Sequence, residues 1–578
     1  MHTNSLRFLF GSALLLSSAA WAVTSPPPTE KVPVADAEPF CNSGVPPEWR
    51  DAQAVEGVSM QEERVCNPDN PADIAVFVKG TNNVSMQTLM DTNLAADAIT
   101  MSNDLDGDGD PDHITIKLEI MELNGHSPDF AGVVPTFDIG PGIQPGFWVF
   151  APKTRDMSTK SFASAEANPL LRMPSPTIRV EQGDVVWLVV ENTHYFPHSI
   201  HLHGVDHPFR DHSGEGNDGV GQTSHMDIMP GQSKTYVIRP RQAGTQYYHC
   251  HVQPHTHIPM GLAGMFVVEE NRPNNWPQTF NVGNGLVRAP SKAVKEKYNR
   301  EYDLHFQSVD KELHKMIQGA NDPRLIARAM NQEYDITDAT DDYYLLNGRS
   351  FPYTLRESIV VVEPNEKVKL RVLNGHTEGL ALHTHGHKAT ETHYDGVEHN
   401  PAAQITRDVY ALAPAQRLDL ELNTTNDGLH SYGSGIWMFH DHVEKAFTTD
   451  GVGEGGSISV IAYKDFLDEK GTPKTHDAMD LSPYFTKQYW QRKIPIWQNF
   501  ADDWGSLGAP AQVGGSAAIA PAVQQGATPA VAAPSSSSSW GNLFTGLLLG
   551  AFVYFLYLKR EFFIPLAEDA VARLKRLK

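Results

Sequence analysis

Residues 177–204 read TIRVEQGDVVWLVVENTHYFPHSIHLHG, and residues 358–387 read SIVVVEPNEKVKLRVLNGHTEGLALHTHGH. Each opens on an apolar run rich in β-branched residues, breaks at Gly or Pro-Asn, resumes, ends in Leu-x-Val-x-Asn and leads into a histidine cluster. Alternation of apolar and polar residues with turn residues between the runs is the signature of half-buried strands. Outward from the first stretch the pattern continues in HITIKLEI, KTYVIRP and AGMFVVEE; around the second it continues in YYLLNGRSFPYTL, RLDLELNTT and GSISVIAY. The chain is therefore predicted to be all-β, with sandwich domains at 113–270 and 340–465. Between them, 271–339 reads as a helical connector, rich in Lys, Glu, Arg and Ala over 291–330. A length of 578 residues fits more than one core.

The ends carry different signals. Residues 1–22 look like a signal peptide: Arg7 precedes the apolar run Phe8 to Leu16, and Ala20-Trp21-Ala22 supplies small residues for cleavage. Residues 23–112 form a loop-rich segment and 466–507 a C-terminal extension. The stretch 508–539, mostly Ala, Pro, Gly, Ser and Gln, reads as a flexible linker. Residues 540–558, WGNLFTGLLLGAFVYFLYL, carry no charge and suit the ~30 Å apolar core of a bilayer. Lys559 and Arg560 follow, so the tail 559–578 is expected in the cytoplasm. The expectation is an exported protein on the periplasmic or extracytoplasmic face, held in the cytoplasmic membrane by one C-terminal span.

A formal charge of -23 argues against a nucleic-acid partner. Twenty-six histidines are the unusual count, and many are clustered. Of three cysteines, Cys41 and Cys66 can pair in an exported protein, which leaves Cys250.

Side chains two apart on a strand share a face, and those one or three apart do not. His201 with His203, His249 with His251, His383 with His385 and His440 with His442 are four such pairs. Eight imidazoles suffice for three copper ions with positions left open, and without metal their burial would leave many polar atoms unpaired. Cys250 and His198 point the other way and suit a separate copper, which needs two imidazoles, a thiolate and a weak axial thioether. The second imidazole is His255 or His257, and the axial ligand Met260 or, less favourably, Met265. His207, His212, His225, His387, His393 and His399 are assigned to supporting or surface roles. Met226 and Met229 are too few to form a copper-trafficking tract.

The run HCHVQPHTHIPM (249–260) resembles the type 1 copper signature of multicopper oxidases, and HLHG, HTHGH and HDH resemble that family's remaining copper motifs. The resemblance implies two cupredoxin-like Greek-key domains and selects His255 and Met260 as type 1 ligands with His198 and Cys250. It places type 2 copper on His201 and His383, and the type 3 pair on His203, His249, His251, His385, His440 and His442. Cys250 would relay electrons through His249 and His251. Four coppers per subunit would couple oxidation of a reductant to reduction of dioxygen to water. Asp441 and Leu380 stand where a second blue site would have cysteine and histidine, so only the first domain carries type 1 copper. By parity Asp441 is expected to affect only the local orientation of His440 and His442. The resemblance is to two-domain, laccase-like oxidases, which implies a homotrimer with clusters shared between subunits. It also suggests Asp206 and Asp211 as proton-handling carboxylates, against a plain role as solvated loop acids.

DLDGDGDPD (104–112) offers Asp104, Asp106, Asp108 and Asp112 for calcium, although Thr115 stands where the closing glutamate of such a loop belongs. A solvated acidic turn is the other reading. Rival functions are a copper nitrite reductase and a non-catalytic blue-copper electron carrier. The first wants an acid in the stretch His198-Ser199-Ile200-His201, which has none; the second leaves eight histidines without purpose. The reductant stays open among phenols, cuprous or manganous ions and redox proteins.

Overall fold

The computed structural model describes residues 95–492 apart from 96, 108–110, 127–136, 155–171, 272–279, 282–285, 289–297, 470 and 475–480, together with four three-residue strands between 48 and 65. Residues 1–22, expected to be a signal peptide, and Cys41, Cys66, the stretch 508–539, the apolar stretch 540–558 and residues 559–578 lie outside the described residues. Among the described residues no helix is long and apolar enough to cross a membrane.

The first domain is two facing sheets. One runs in the order His201–His203, Gly244–His249, Ala263–Glu269, Thr177–Glu181, Phe280–Asn281. The other runs Ser233–Ile238, Val185–Glu191, His113–Leu123, Ile99–Ser102, with Phe147–Pro152 also on His113–Leu123. From Phe147–Pro152 to Gly244–His249 each strand lies in the sheet opposite its predecessor, as in a cupredoxin-like sandwich. Val185–Glu191 shows the alternation its sequence promised: Val186, Leu188 and Val190 are buried and their neighbours half-buried. Strand Ile99–Ser102 pairs with His113–Leu123, so this domain begins upstream of residue 113.

The second domain repeats the plan. A large sheet carries Arg300–Val309, Lys367–Gly375, Arg417–Asn423 and Ala389–Tyr394 in that order; its partner runs Val360–Val362, Ser459–Tyr463, Ile436–Asp441, Leu380–Thr384, Val409–Leu412. Here the helical connector needs correction. Arg300–Val309 is a ten-residue strand, parallel to Lys367–Gly375. Tyr302, Leu304 and Phe306 enter the second core, while Glu301 and Asp303 are buried against the first domain. Those acids read as helix-compatible surface because their cations lie elsewhere in the chain. Arg179, fully buried, meets Glu301 at 3.1 Å and also pairs with Asp303; Arg371 pairs with Glu301 and meets Asp419 at 3.0 Å. A buried charge persists only when paired in this way.

Of the helices that do form, Lys311–Gly319 is capped by Asp310, whose carboxylate accepts the amides of Glu312 and Leu313, and Pro323–Arg328 follows it. Its Leu313 and Ile317, with Ile326 and Met330 beyond, complete the core of the first domain.

Candidate metal centres

In the first domain the early and late histidine strands lie side by side, with His201 opposite His249 and His203 opposite Tyr247. In the second, His383 lies opposite His440. The two halves match atom by atom. His201 Nδ1 lies 2.7 Å from the Asp218 carbonyl, and His383 Nδ1 2.9 Å from the Asp408 carbonyl. His249 Nδ1 faces the Cys250 carbonyl at 2.8 Å, and His440 Nδ1 the Asp441 carbonyl at 2.9 Å. A ring that donates Nδ1–H to a carbonyl keeps an unprotonated Nε2, the ligand form. Two of them meet a second ring: His249 Nε2 lies 2.9 Å from His203 Nε2, and His440 Nε2 lies 3.3 Å from His385 Nε2. Burial holds His203 and His440 down at about 4 and His249 at about 3, so they stay neutral. His251 packs on His201, and His442 on His383 and His440.

On the opposite side of Cys250, its sulfur lies 3.6 Å from His198 Nδ1 and 3.4 Å from His257 Nδ1, all three buried. The structure thus brings His257 to Cys250, not the His255 that the resemblance selects. After His251 the chain turns through Gln253, at φ 44°, into the short helix Pro254–His257. At about 100° per residue, positions 255 and 257 face nearly opposite ways. His257 turns inward and His255 is exposed. Strand parity stops where the helix begins. Met260 is buried in the same cluster as Cys250, whereas Met265 packs with Tyr247 and Leu373 elsewhere. Without a cation beside it, burial pushes the Cys250 thiol up to about 12.

The donor set fits copper. Two imidazoles, a thiolate and a nearby thioether suit a blue site, and grouped imidazoles suit the others. In each pair one Nε2, on His249 or His440, is an acceptor because its ring proton faces a carbonyl, so the opposing ring meets it either as a hydrogen-bond donor or across a shared cation.

The multicopper oxidase family model matches residues 171–273 and 325–453, which contain these groups. Both histidine-bearing segments match multicopper oxidase domains. Copper resistance protein A of Escherichia coli is 25% identical over 262 residues, 43% of this chain and 41% of that protein. Laccase-18 of Oryza sativa subsp. japonica is 28% identical over 264 residues, 44% and 37% of the two. The chain thus spans about two fifths of the length of these relatives. Among solved structures, a blue copper oxidase from Nitrosomonas europaea is 22% identical with a TM-score of 0.44, over 65% of this chain and 94% of that one.

Within these matched segments, several residues were invisible to motif reading. Asp218, in a Gly-rich loop, holds His201 with its carbonyl and His207 with its carboxylate, 3.2 Å away. Asp206 and Asp211 are instead committed to Arg241 and Lys234. Arg417 of the second domain reaches Gln246 at 2.9 Å, bracing the strand that carries His249. Asp441 does more than its parity suggested: its Oδ1 accepts the amides of Ala381 and Val443 at 2.9 and 3.0 Å, tying the His383 strand to the His440 segment. His387 meets Tyr463, His225 Tyr236 and His399 Glu391, which are structural roles. The carboxylates of Asp104, Asp106 and Asp112 lie within 4.8 Å of one another; Asp108 is outside the described residues.

Proposed function

We propose that this chain is a laccase-like, copper-dependent oxidoreductase that takes electrons one at a time from a small reductant and delivers them to dioxygen. The observation that carries the reading is the double role of one short segment. Cys250 faces His198 and His257, while its covalent neighbours His249 and His251 belong to the other group. Copper held by His198, Cys250, His257 and Met260 would supply the one-electron oxidation. Copper held by the eight paired histidines would supply four-electron reduction of dioxygen to water, for four ions per subunit. The protein's own part is to fix imidazole tautomers through carbonyls, keep the thiol away from water, and offer a path of few covalent bonds from Cys250 to its neighbours. An electron carrier has no use for two further histidine groups. Asp218 stands behind His201 on its Nδ1 side, away from the Nε2 that would bind metal, so it does not supply the acid that nitrite reduction requires.

Assembly belongs to the same proposal. Among the described residues no hydrogen bond or ring contact joins a histidine of one half-cluster to one of the other, and His385 and His442 are exposed. Each half-cluster is incomplete alone, which supports a homotrimer with clusters shared between subunits. Export, the membrane anchor at 540–558 and calcium at the 104–112 loop are further parts of the proposal that rest on sequence. The test is copper analysis with optical and EPR spectra. Wild type is expected to bind four coppers and be blue; Cys250→Ser is expected to lose the blue band and keep about three coppers, the number that the eight histidines imply. A Cys250→Ser protein that stays blue would refute the assignment.

A further inference from the structure

His198 uses both ring nitrogens. Nδ1 faces Cys250, and Nε2 lies 2.8 Å from Nδ1 of a second buried histidine, His194. The far nitrogen of His194 points toward Glu122, 3.8 Å from Oε2, and has no hydrogen-bond partner. That same Glu122 oxygen accepts the Tyr195 hydroxyl and, at 3.3 Å, the Trp148 indole N–H. The indole edge packs against His194, His198 and His257, with centroids 5.0, 6.3 and 5.2 Å away.

The mounting is built, and it is built twice. Asn192 Oδ1 accepts the His194 amide at 3.0 Å, and its Nδ2 donates to the carbonyls of Phe196 and Ile228. Asn374 does the same for His376, with its Nδ2 on Glu378 and Leu412. In the second domain, however, Leu380 takes the place of His198, so His376 has no imidazole to meet. The turn is common to both domains; the chain of imidazoles is particular to the one that contains Cys250.

We propose that His194 is a positioning residue for His198, and that the pair Glu122 and His194 sets how strongly His198 donates to copper. The inference rests on the blue-site reading above. With Nδ1 committed to the metal side, the proton of His198 sits on Nε2 and is donated to His194 Nδ1. His194 then carries its own proton on the nitrogen aimed at Glu122. A carboxylate behind a histidine fixes ring orientation and raises ligand basicity. A more basic imidazole favours the divalent over the monovalent ion, so this arrangement holds the reduction potential of the site low.

The test is an anaerobic redox titration of the full-length, copper-loaded protein, followed optically and by EPR. His194→Phe keeps the ring packing on Trp148 and removes the acceptor. Loss of such an outer partner typically costs 10–100-fold in metal affinity. If the tenfold loss falls on the divalent ion alone, the potential rises by about 59 mV. His194→Gln, which restores an acceptor oxygen, is expected to return part of the shift. Glu122→Gln keeps His194 in place and is expected to move the potential the same way by less, which covers a His194→Phe that does not fold. His376→Phe, on the duplicate turn, is expected to leave the potential unchanged. Blue variants of His194 and Glu122 with the wild-type potential would overturn this inference alone. A wild-type protein without a blue band would overturn the proposed function instead.

Discussion

Asp441→Ala separates a spacer from a clamp. The carboxylate is fully buried, and its Oδ1 receives two amides, Ala381 N–H at 2.9 Å and Val443 N–H at 3.0 Å. One lies on the strand of His383 and His385, the other just past His440 and His442, so the loss loosens both ligand pairs at once. Hydrogen bonds to a charged acceptor contribute about 1.5–3 kcal/mol each. Ala381 and Val443 are half-buried, so water replaces part of the loss and the low end applies, about 3 kcal/mol for the two. Residues 95–492 number about 400; at ~2.1 cal/mol/K per residue their unfolding entropy is ~0.8 kcal/mol/K, and Tm falls by about 4 °C. Asp441→Asn keeps an acceptor oxygen in place and is expected to lose less than half as much. Calorimetry on both variants gives the stability, and copper analysis gives the ligand consequence: Asp441→Ala is expected to lose copper from the histidine groups while staying blue. Equal Tm values for the Ala and Asn variants, with full copper in each, would refute the clamp.

Three further outcomes are expected. His257→Ala loses the blue band whereas His255→Ala keeps it, since only the former faces Cys250; optical spectra decide, and the reverse pattern would restore the motif-based choice. Arg371→Met removes the cation that Glu301 and Asp419 share and leaves Arg179 and Lys369 as their partners, so the low end of the range for breaking a buried pair applies, about 3 kcal/mol, read from the urea midpoint at neutral pH; a change below about 1 kcal/mol would show that water reaches the cluster. Acid should destabilise the protein through Glu357 and Asp419. Burial raises both carboxyls, but Arg349 and Arg172 outweigh it at Glu357, and Arg371 and Lys369 at Asp419, holding each at about 2. Folded values below the ordinary 4.5 and 3.8 mean that this stability is present above those values and lost as pH falls toward 2. Urea midpoints at pH 7, 4 and 3 test the sign, and Glu357→Gln should flatten the slope; a midpoint that rises with acid contradicts it.

What the sequence by itself determined was whatever depends on local period. Alternation in Val185–Glu191 or His201–His203 forces a face on every side chain, so two sandwiches, four histidine pairs and a cysteine turned away from them were legible from residue types alone. The loss of a blue site in the second domain was equally legible, because Asp441 and Leu380 cannot supply a thiolate and an imidazole. What only the tertiary structure decided was set by partners distant in the chain. Arg300–Val309 resembled connector because Glu301 and Asp303 look solvent-facing until Arg179 and Arg371 are placed beside them. His257 rather than His255, which the resemblance selected, meets Cys250 because in the four-residue helix after Gln253 the two rings face nearly opposite ways, a distinction that residue types alone left open. His194, Glu122 and Trp148 carry no motif; they join the surroundings of His198 because two strands and a turn bring an imidazole to one of its nitrogens and a carboxylate and an indole against that imidazole. A sequence fixes which groups a chain owns and which way each strand presents them, and only packing of the whole chain sets which of them meet.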